Sequence, residues 1–322
     1  MDLDRANPIF VLGIMPRSGT NYLWDLLCLH PHVGKAREPI REDLFLEHSD
    51  HLVAYTQAVQ EWWDPIWGDF PPDLDARLLA SLGDGLISFL WVDRERRLIT
   101  KSPSVKNVHR FFELFPGARL VILVRDGRAV VESSMLTFGW DFDTAVRRWR
   151  TGADAIRSFE EGHKRQPARY RIIRYEDLME NLRETLYPLL DWLDLDGRAL
   201  DFDAAFRLPV RGSSVFHGTD RDTVHWDPVA KDDSFDPTSR WRDWTPRMHE
   251  RFAWIAGNEL EYLGYKPSPR VAGSGRNAAV QRLLDWRWWG TRTARRVIFL
   301  LRVHLGGMSR PLREKLGLVR ES

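Results

Sequence analysis

The sequence holds one cysteine, Cys28, among 322 residues. A single thiol excludes an intrachain disulfide framework and any zinc site built from cysteines, and it suits a reducing compartment. No run of eighteen apolar residues occurs, so no segment reads as a membrane span. The opening MDLDRANPIFVLGIMPRSGT lacks the basic start and long apolar stretch of a secretory signal, and the expected location is the cytoplasm. Low-complexity segments and repeats of twenty to fifty residues are missing too, which sets aside solenoids and propellers. What remains is an ordinary globular mixture, 43% hydrophobic and 29% charged. That composition does not suit a disordered or fibrous chain.

Excess charge is absent overall, since the net value is +1. The balance conceals a division. Residues 270–322 hold 12 Lys and Arg against 3 Asp and Glu, a net +9 that leaves −8 on the rest. The chain therefore divides into a mildly acidic body, residues 1–269, and a basic Trp/Arg-rich helical tail, residues 270–322. An acidic body is a poor surface for nucleic acid, and none is expected as a partner. In the tail, residues 278–305 read as a helix with Val280, Leu284, Trp288, Ile298, Leu301 and Leu305 roughly on one side. Arg282, Arg292, Arg295, Arg296 and Arg302 point elsewhere. Such a helix suits self-docking on the acidic body or a second subunit, or peripheral contact with a membrane surface.

Four short apolar runs in the body each end in polar residues. Residues 9–14 lead into Pro16-Arg17-Ser18-Gly19-Thr20-Asn21 and a helix through Leu29, stopped by Pro31. Residues 97–100 lead into Lys101-Ser102-Pro103, residues 119–124 into Arg125-Asp126-Gly127 and a helix, and residues 170–174 into Tyr175-Glu176-Asp177-Leu178. Short apolar strands alternating with helices predict an α/β fold, a parallel sheet flanked by helices of the P-loop-like nucleotide-binding kind. Ligands of such sheets bind beyond the carboxyl ends of the strands, where all four polar segments fall. Thr245-Pro246 marks another helix start, running to about Gly264. Residues 206–236, rich in turn formers, are a candidate mobile loop over the site.

The residues from Gly13 to Asn21 are built to cradle a phosphate. A loop between strand and helix aims backbone N–H groups and the positive end of the helix dipole at one point. Gly19 permits close approach, Ser18, Thr20 and Asn21 add donors, and Arg17 adds a cation. A nucleoside-triphosphate P-loop would read G-x-x-x-x-G-K-[ST]. Here Gly19 stands in the lysine position, and the strand at residues 119–124 ends in Arg125 instead of a magnesium-binding Asp. Arg125 with Ser133, two helical turns further on, makes a second phosphate site. Two such sites in one crevice imply a ligand with phosphates at both ends of a nucleoside, bound without metal. Two alternatives stay open on the residues alone, a P-loop nucleotide kinase and a non-catalytic nucleotide-binding adaptor at a membrane surface.

PRSGTN after a strand, KSP after a second, VRDGRAVVES and YEDL together resemble the PAPS-dependent sulfotransferases. PAPS is 3′-phosphoadenosine 5′-phosphosulfate. The pattern is most similar to the branch of tyrosylprotein sulfotransferases and bacterial enzymes with a PRSGT loop. The resemblance implies that Arg17, Ser18, Gly19, Thr20 and Asn21 hold the 5′-phosphosulfate of PAPS. Arg125 and Ser133 would hold the 3′-phosphate, and Tyr175 would lie near the adenine. Lys101 matches a lysine beside the transferred group, and Glu38 matches the catalytic base of the tyrosylprotein branch. Arg240, in Ser239-Arg240-Trp241, matches a cation that closes over the nucleotide. Asn21 departs from the second threonine of PRSGTT, and Thr137 stands near the place of an arginine after VRDGR. The implied acceptor is a hydroxyl of a carbohydrate, lipid or other small molecule.

Other candidates read as structure. His30-Pro31-His32 is a helix stop, His48 and His51 lack further ligands, and no metal site is expected. Cys28, among leucines, belongs to the core. Trp62, Trp63 and Trp67 are candidates for lining an acceptor pocket.

Overall fold

The computed structural model describes residues 7–68, 73–210, 238–267 and 275–306. Most of the expected loop at 206–236, and the boundary near Pro269, lie outside the described residues. Five strands, β1 (Ile9–Gly13), β2 (Val33–Lys35), β3 (Arg97–Ser102), β4 (Arg119–Val124) and β5 (Tyr170–Arg174), form one sheet in the order β2-β3-β1-β4-β5. All four pairings are parallel. The four longer strands are those read from the apolar runs. The fifth, β2, has only three residues (Val-Gly-Lys), too few to register as an apolar run, and takes its hydrogen bonds from the edge of β3.

Alternation along the central strands divides the core between two faces. Phe10, Leu12, Leu120 and Ile122 point to one side and pack with Phe111, Phe115, Trp149 and Phe252. Ile9, Val11, Val121 and Leu123 point to the other and pack with Tyr22, Leu23, Leu186 and Leu190. The covering helices are α1 (Thr20–Leu27), α2 (Ser49–Trp67), α3 (Leu74–Leu90), α4 (Phe111–Leu114), α5 (Gly127–Phe138) and α6 (Phe142–Gly162). They continue with α7 (Tyr175–Glu180), α8 (Leu182–Trp192), α9 (Phe202–Arg207), α10 (Pro246–Tyr262) and α11 (Gly275–Gly306). Helix α1 stops at Leu27, before the expected Leu29, with Cys28 as its cap. At α10 the Thr245 hydroxyl accepts from the Met248 N–H at 3.4 Å and Pro246 fills the first turn.

Helix α11 meets α6 and α10 through polar residues. The buried Arg251 guanidinium donates to Asp143 (3.0 Å), to Gln281 Oε1 (3.0 Å) and to Asp285 (2.8 Å). The Trp254 indole also donates to Asp285 at 2.9 Å, and Arg147 lies 4.4 Å over the Trp288 ring. Val280 and Leu284, read from sequence as part of the helix's apolar side, are exposed. The surface offered by α6 and α10 is charged, so α11 turns its matching polar residues inward.

Gly152 of α6 faces the end of β1. A Cβ there would lie 2.4 Å from the Ile14 carbonyl oxygen, a backbone atom that cannot swing aside. Gly152→Ala is expected to cost about 1–3 kcal/mol through overpacking. A lower urea midpoint at unchanged slope would register it.

Candidate functional site

The loop after β1 is held in shape by its own residues and by strand β4. Gly19 has φ 94° and Arg17 has φ 79°, both left-handed. A Cβ at Gly19 would lie 2.4 Å from Tyr175 Cδ2, so no side chain fits there. This bears on the missing P-loop lysine, because residue 19 lacks both the backbone angle and the room for one. The Ser18 hydroxyl donates to the Met15 carbonyl at 2.5 Å and accepts from the Met15 N–H at 3.3 Å, so it braces the loop from within. Thr20 is buried with its methyl toward Gly13, and the first N–H groups of α1 lack helical carbonyl partners.

Residues far apart in sequence meet at this loop. Arg125, at the end of β4, donates through Nη1 to the Arg17 carbonyl at 2.8 Å. Arg17 Nε in turn donates to Ser133 Oγ, on α5, at 3.0 Å. The two predicted phosphate sites therefore adjoin at the carboxyl edge of β1 and β4. Two guanidinium groups and a helix N-terminus concentrate positive potential there.

A buried polar frame fixes Arg125. Its guanidinium lies 4.5 Å from the centroid of Tyr175, and its carbonyl accepts from the Trp149 indole at 3.2 Å. The next N–H, of Asp126, donates to Glu176 Oε1 at 3.0 Å, and Tyr265 Oη donates to Glu176 Oε2 at 2.9 Å. Burial raises the Glu176 carboxyl above its ordinary range, and these hydrogen bonds oppose that rise. Asp126 caps α5 and receives both Nε and Nη2 of Arg128, whose guanidinium lies 3.7 Å over Trp241. Tyr175, expected near a nucleobase, is 1% exposed. Its ring is enclosed by Gly19, Arg125 and Tyr22, so it supports the loop from beneath. Glu176 was not anticipated, although it stands inside YEDL. Its partners come from other elements, which no local pattern reveals.

Beside the loop lies a cavity of about 440 Å³ lined by Asn21, Trp24, Asp25, Lys35, Ala36, Glu38, Ile40, Arg41, Glu42 and Lys101. Three predicted residues, Asn21, Glu38 and Lys101, thus share one space. Glu38 is exposed, while Lys101 is buried and its Nζ lies 3.2 Å from Glu42 Oε1. Glu42, four residues beyond Glu38, escaped the sequence reading because only the fold brings it to Lys101. Behind this pair, Asp43 accepts from Thr100 Oγ1 at 2.7 Å and from the Phe45 N–H at 3.0 Å. Burial pushes the Asp43 carboxyl up to about 6, against those hydrogen bonds and the nearby Lys101 charge.

Trp62, Trp63 and Trp67 do not line this cavity. They lie on α2, with Trp62 and Trp67 exposed, and Trp24 supplies the aromatic wall instead. The backbone of Arg240 opens a 3-10 turn, Arg240–Asp243, but its side chain is outside the described residues. Burial pushes the Cys28 thiol up to about 12, which keeps it protonated and unreactive. His30 Nε2 lies 3.1 Å from the Asp196 carbonyl oxygen, a structural contact.

A sequence model described as the Sulfotransferase family matches residues 8–198. The chain belongs to the sulfotransferase family. The matched segment runs from β1 past α8 and contains every predicted site residue except Arg240. Protein-tyrosine sulfotransferase A of Caenorhabditis elegans is 24% identical over 85% of this chain and 71% of its own length. Protein-tyrosine sulfotransferase 1 of Danio rerio is 22% identical over 84% of the chain and 75% of its own. Among solved structures, the sulfotransferase domain of the Synechococcus PCC 7002 olefin synthase shares the fold. It matches with a TM-score of 0.50 and 24% identity, over 83% of this chain and 98% of that one. The chain is accordingly a transferase, and the kinase and adaptor alternatives give way.

The Asp43 carboxyl provides a pH test of the cavity wall. Folded, it holds its proton up to about pH 6, against an ordinary value of 3.8. The folded chain thus binds more protons between those values, and the stability contributed at low pH is lost as pH rises through about 6. Asp43→Asn cannot ionise. Its unfolding midpoint relative to the parent chain is expected to climb from pH 4 to pH 7 and then level off. A pH-independent difference would mean that Asp43 does not titrate in this range.

Proposed function

We propose that the chain transfers a sulfuryl group from PAPS to an acceptor hydroxyl, by in-line displacement without a metal. The observation that carries this reading is the meeting of Arg17, Arg125 and Ser133 at one sheet edge, beside the cavity that Glu38 shares with Lys101. The donor set fits a polyanion. It comprises two guanidinium groups, a serine hydroxyl, an asparagine, a lysine and the N–H groups that open α1. Arg17 with residues Ser18, Gly19, Thr20 and Asn21 would hold the phosphosulfate end. Arg125 and Ser133 would hold the 3′-phosphate, with Arg240 closing from the C-terminal side. Tyr175 acts beneath them, as the support for Gly19 and Arg125.

PAPS supplies the sulfuryl group, carried on a phosphosulfate anhydride. The chain's own contribution is electrostatic and acid–base. Charge in such transfers lies on peripheral and leaving oxygens, which fixed cations and N–H groups stabilise without reorganising. Arg17 and Lys101 provide the cations, and the Glu42 carboxylate holds the Lys101 ammonium in the cavity. Glu38 accepts the proton of the acceptor hydroxyl. Of the three carboxylates on the cavity wall, Asp25 is buried and Glu42 is tied to Lys101, which leaves the exposed Glu38 the better base.

The acceptor would be a hydroxyl of a carbohydrate, lipid or other small molecule, of a size for the cavity beside Trp24 and Ile40. A tyrosine phenol on a protein is the second reading, favoured by the names of the curated relatives. Turnover of a sugar, a lipid alcohol and a tyrosyl peptide, each with PAPS, separates them.

Calorimetry should find micromolar binding of adenosine 3′,5′-bisphosphate in EDTA, lost in Arg125→Ala, with weak binding of ATP. Indifference to both nucleotides would overturn the reading. With an acceptor in hand, Glu38→Gln is expected to lower kcat about 10²–10⁴-fold. Lys101→Ala should lower it about 10²–10³-fold. An unchanged kcat in Glu38→Gln would remove Glu38 as the base.

A further inference from the structure

Helix α11 has two unlike long faces. Gln281, Asp285, Trp288 and Arg292 recur at helical spacing and meet the body through Arg251, Trp254, Arg147 and Thr144. The opposite face carries Leu283 and Trp286, with Val280 and Trp289 on its flanks, all exposed. Trp286 is 75% exposed and Trp289 58%. Arg282 borders this strip on one side and Arg287 on the other, both exposed. The helix contains seven arginines and one acid, Asp285, which is already paired with Arg251 and Arg147. Its outward charge is therefore uncompensated by the helix itself.

We propose that this face binds an anionic membrane surface, with α11 lying in the plane of the headgroups. Charge and side-chain chemistry both favour lipid as the occupant. Indole rings have an apolar body and one N–H donor, which suits the boundary between acyl chains and headgroups. Arginines on both sides of a narrow apolar strip would each meet a phosphate in a lipid surface, wherever they fall. A protein partner would need acidic groups at matching places and a groove for two tryptophans. Among the described residues no helix is long and apolar enough to cross a membrane. Contact along one face is the mode that fits an arginine-rich helix of 32 residues, about 48 Å long at 1.5 Å per residue.

The test uses the full chain and vesicles of phosphatidylcholine, alone or mixed with phosphatidylglycerol. Sedimentation with the mixed vesicles only, weakened by salt, is expected. The double variant Leu283→Ser, Trp286→Ser should lower the bound fraction roughly tenfold, as should Arg282→Glu with Arg287→Glu. Both pairs point to solvent, and an unchanged unfolding midpoint will show that the fold is kept. Three results would each overturn the proposal. One is no sedimentation with anionic vesicles at low salt. Another is full binding by the double variants. The third is a solution dimer that the Leu283/Trp286 variant dissociates and that leaves vesicles alone, which assigns the face to a second copy.

Discussion

The hydrogen bond from Arg125 to the Arg17 carbonyl ties the residue just after one strand to the loop that follows its neighbour. Arg17 sits in the left-handed region, a conformation costing on the order of 1–3 kcal/mol for a non-glycine residue. A hydrogen bond from a buried charged group contributes about 1.5–3 kcal/mol. The two magnitudes are comparable, so this one contact can offset the strain of the turn. Arg125 is itself over-determined, with Tyr175 under its guanidinium, Trp149 on its carbonyl and Glu176 on the following N–H. Loop shape, and hence the aim of the α1 N-terminus, depends on that frame.

Sheet order explains why the frame exists. β1 and β4 are adjacent and parallel, so their carboxyl ends open side by side and deliver the PRSGTN loop and Arg125 to one place. β3 lies on the other flank of β1, in the same direction, and delivers Lys101 to the cavity next to Asn21. A sulfotransferase needs positive charge arranged around an anionic group and a base on the acceptor side. This arrangement puts guanidinium groups at the sheet edge and carboxylates across the cavity. The Glu42–Lys101 pair keeps a buried ammonium compensated, as a lone buried charge would be costly.

The tail follows a different logic. Along its described side chains α11 is attached by an ionic cluster around Arg251, and its outward aromatic residues Trp286 and Trp289 are left exposed. A buried guanidinium with several carboxylate and amide partners gives directional attachment, which selects one face of the helix.

Local features of this protein were legible in its sequence. Four strands stood out as apolar runs, the Thr245-Pro246 start as a cap, and the loop after β1 as a tight turn that opens a helix, because each depends on neighbours within a few residues. The parallel sheet followed from their alternation with helices. Tertiary structure alone decided the remainder. The three-residue β2 exists because β3 offers an edge, and Glu42 matters because the fold sets it against Lys101. Tyr175 is buried because Gly19 and Arg125 close over its ring. Helical spacing could place residues on the faces of α11, but the inward face was selected by Asp143 and Arg251. Chain-local propensity acts over a few residues, whereas burial and pairing of charges are settled between elements that lie 34, 59 or 108 positions apart in the chain.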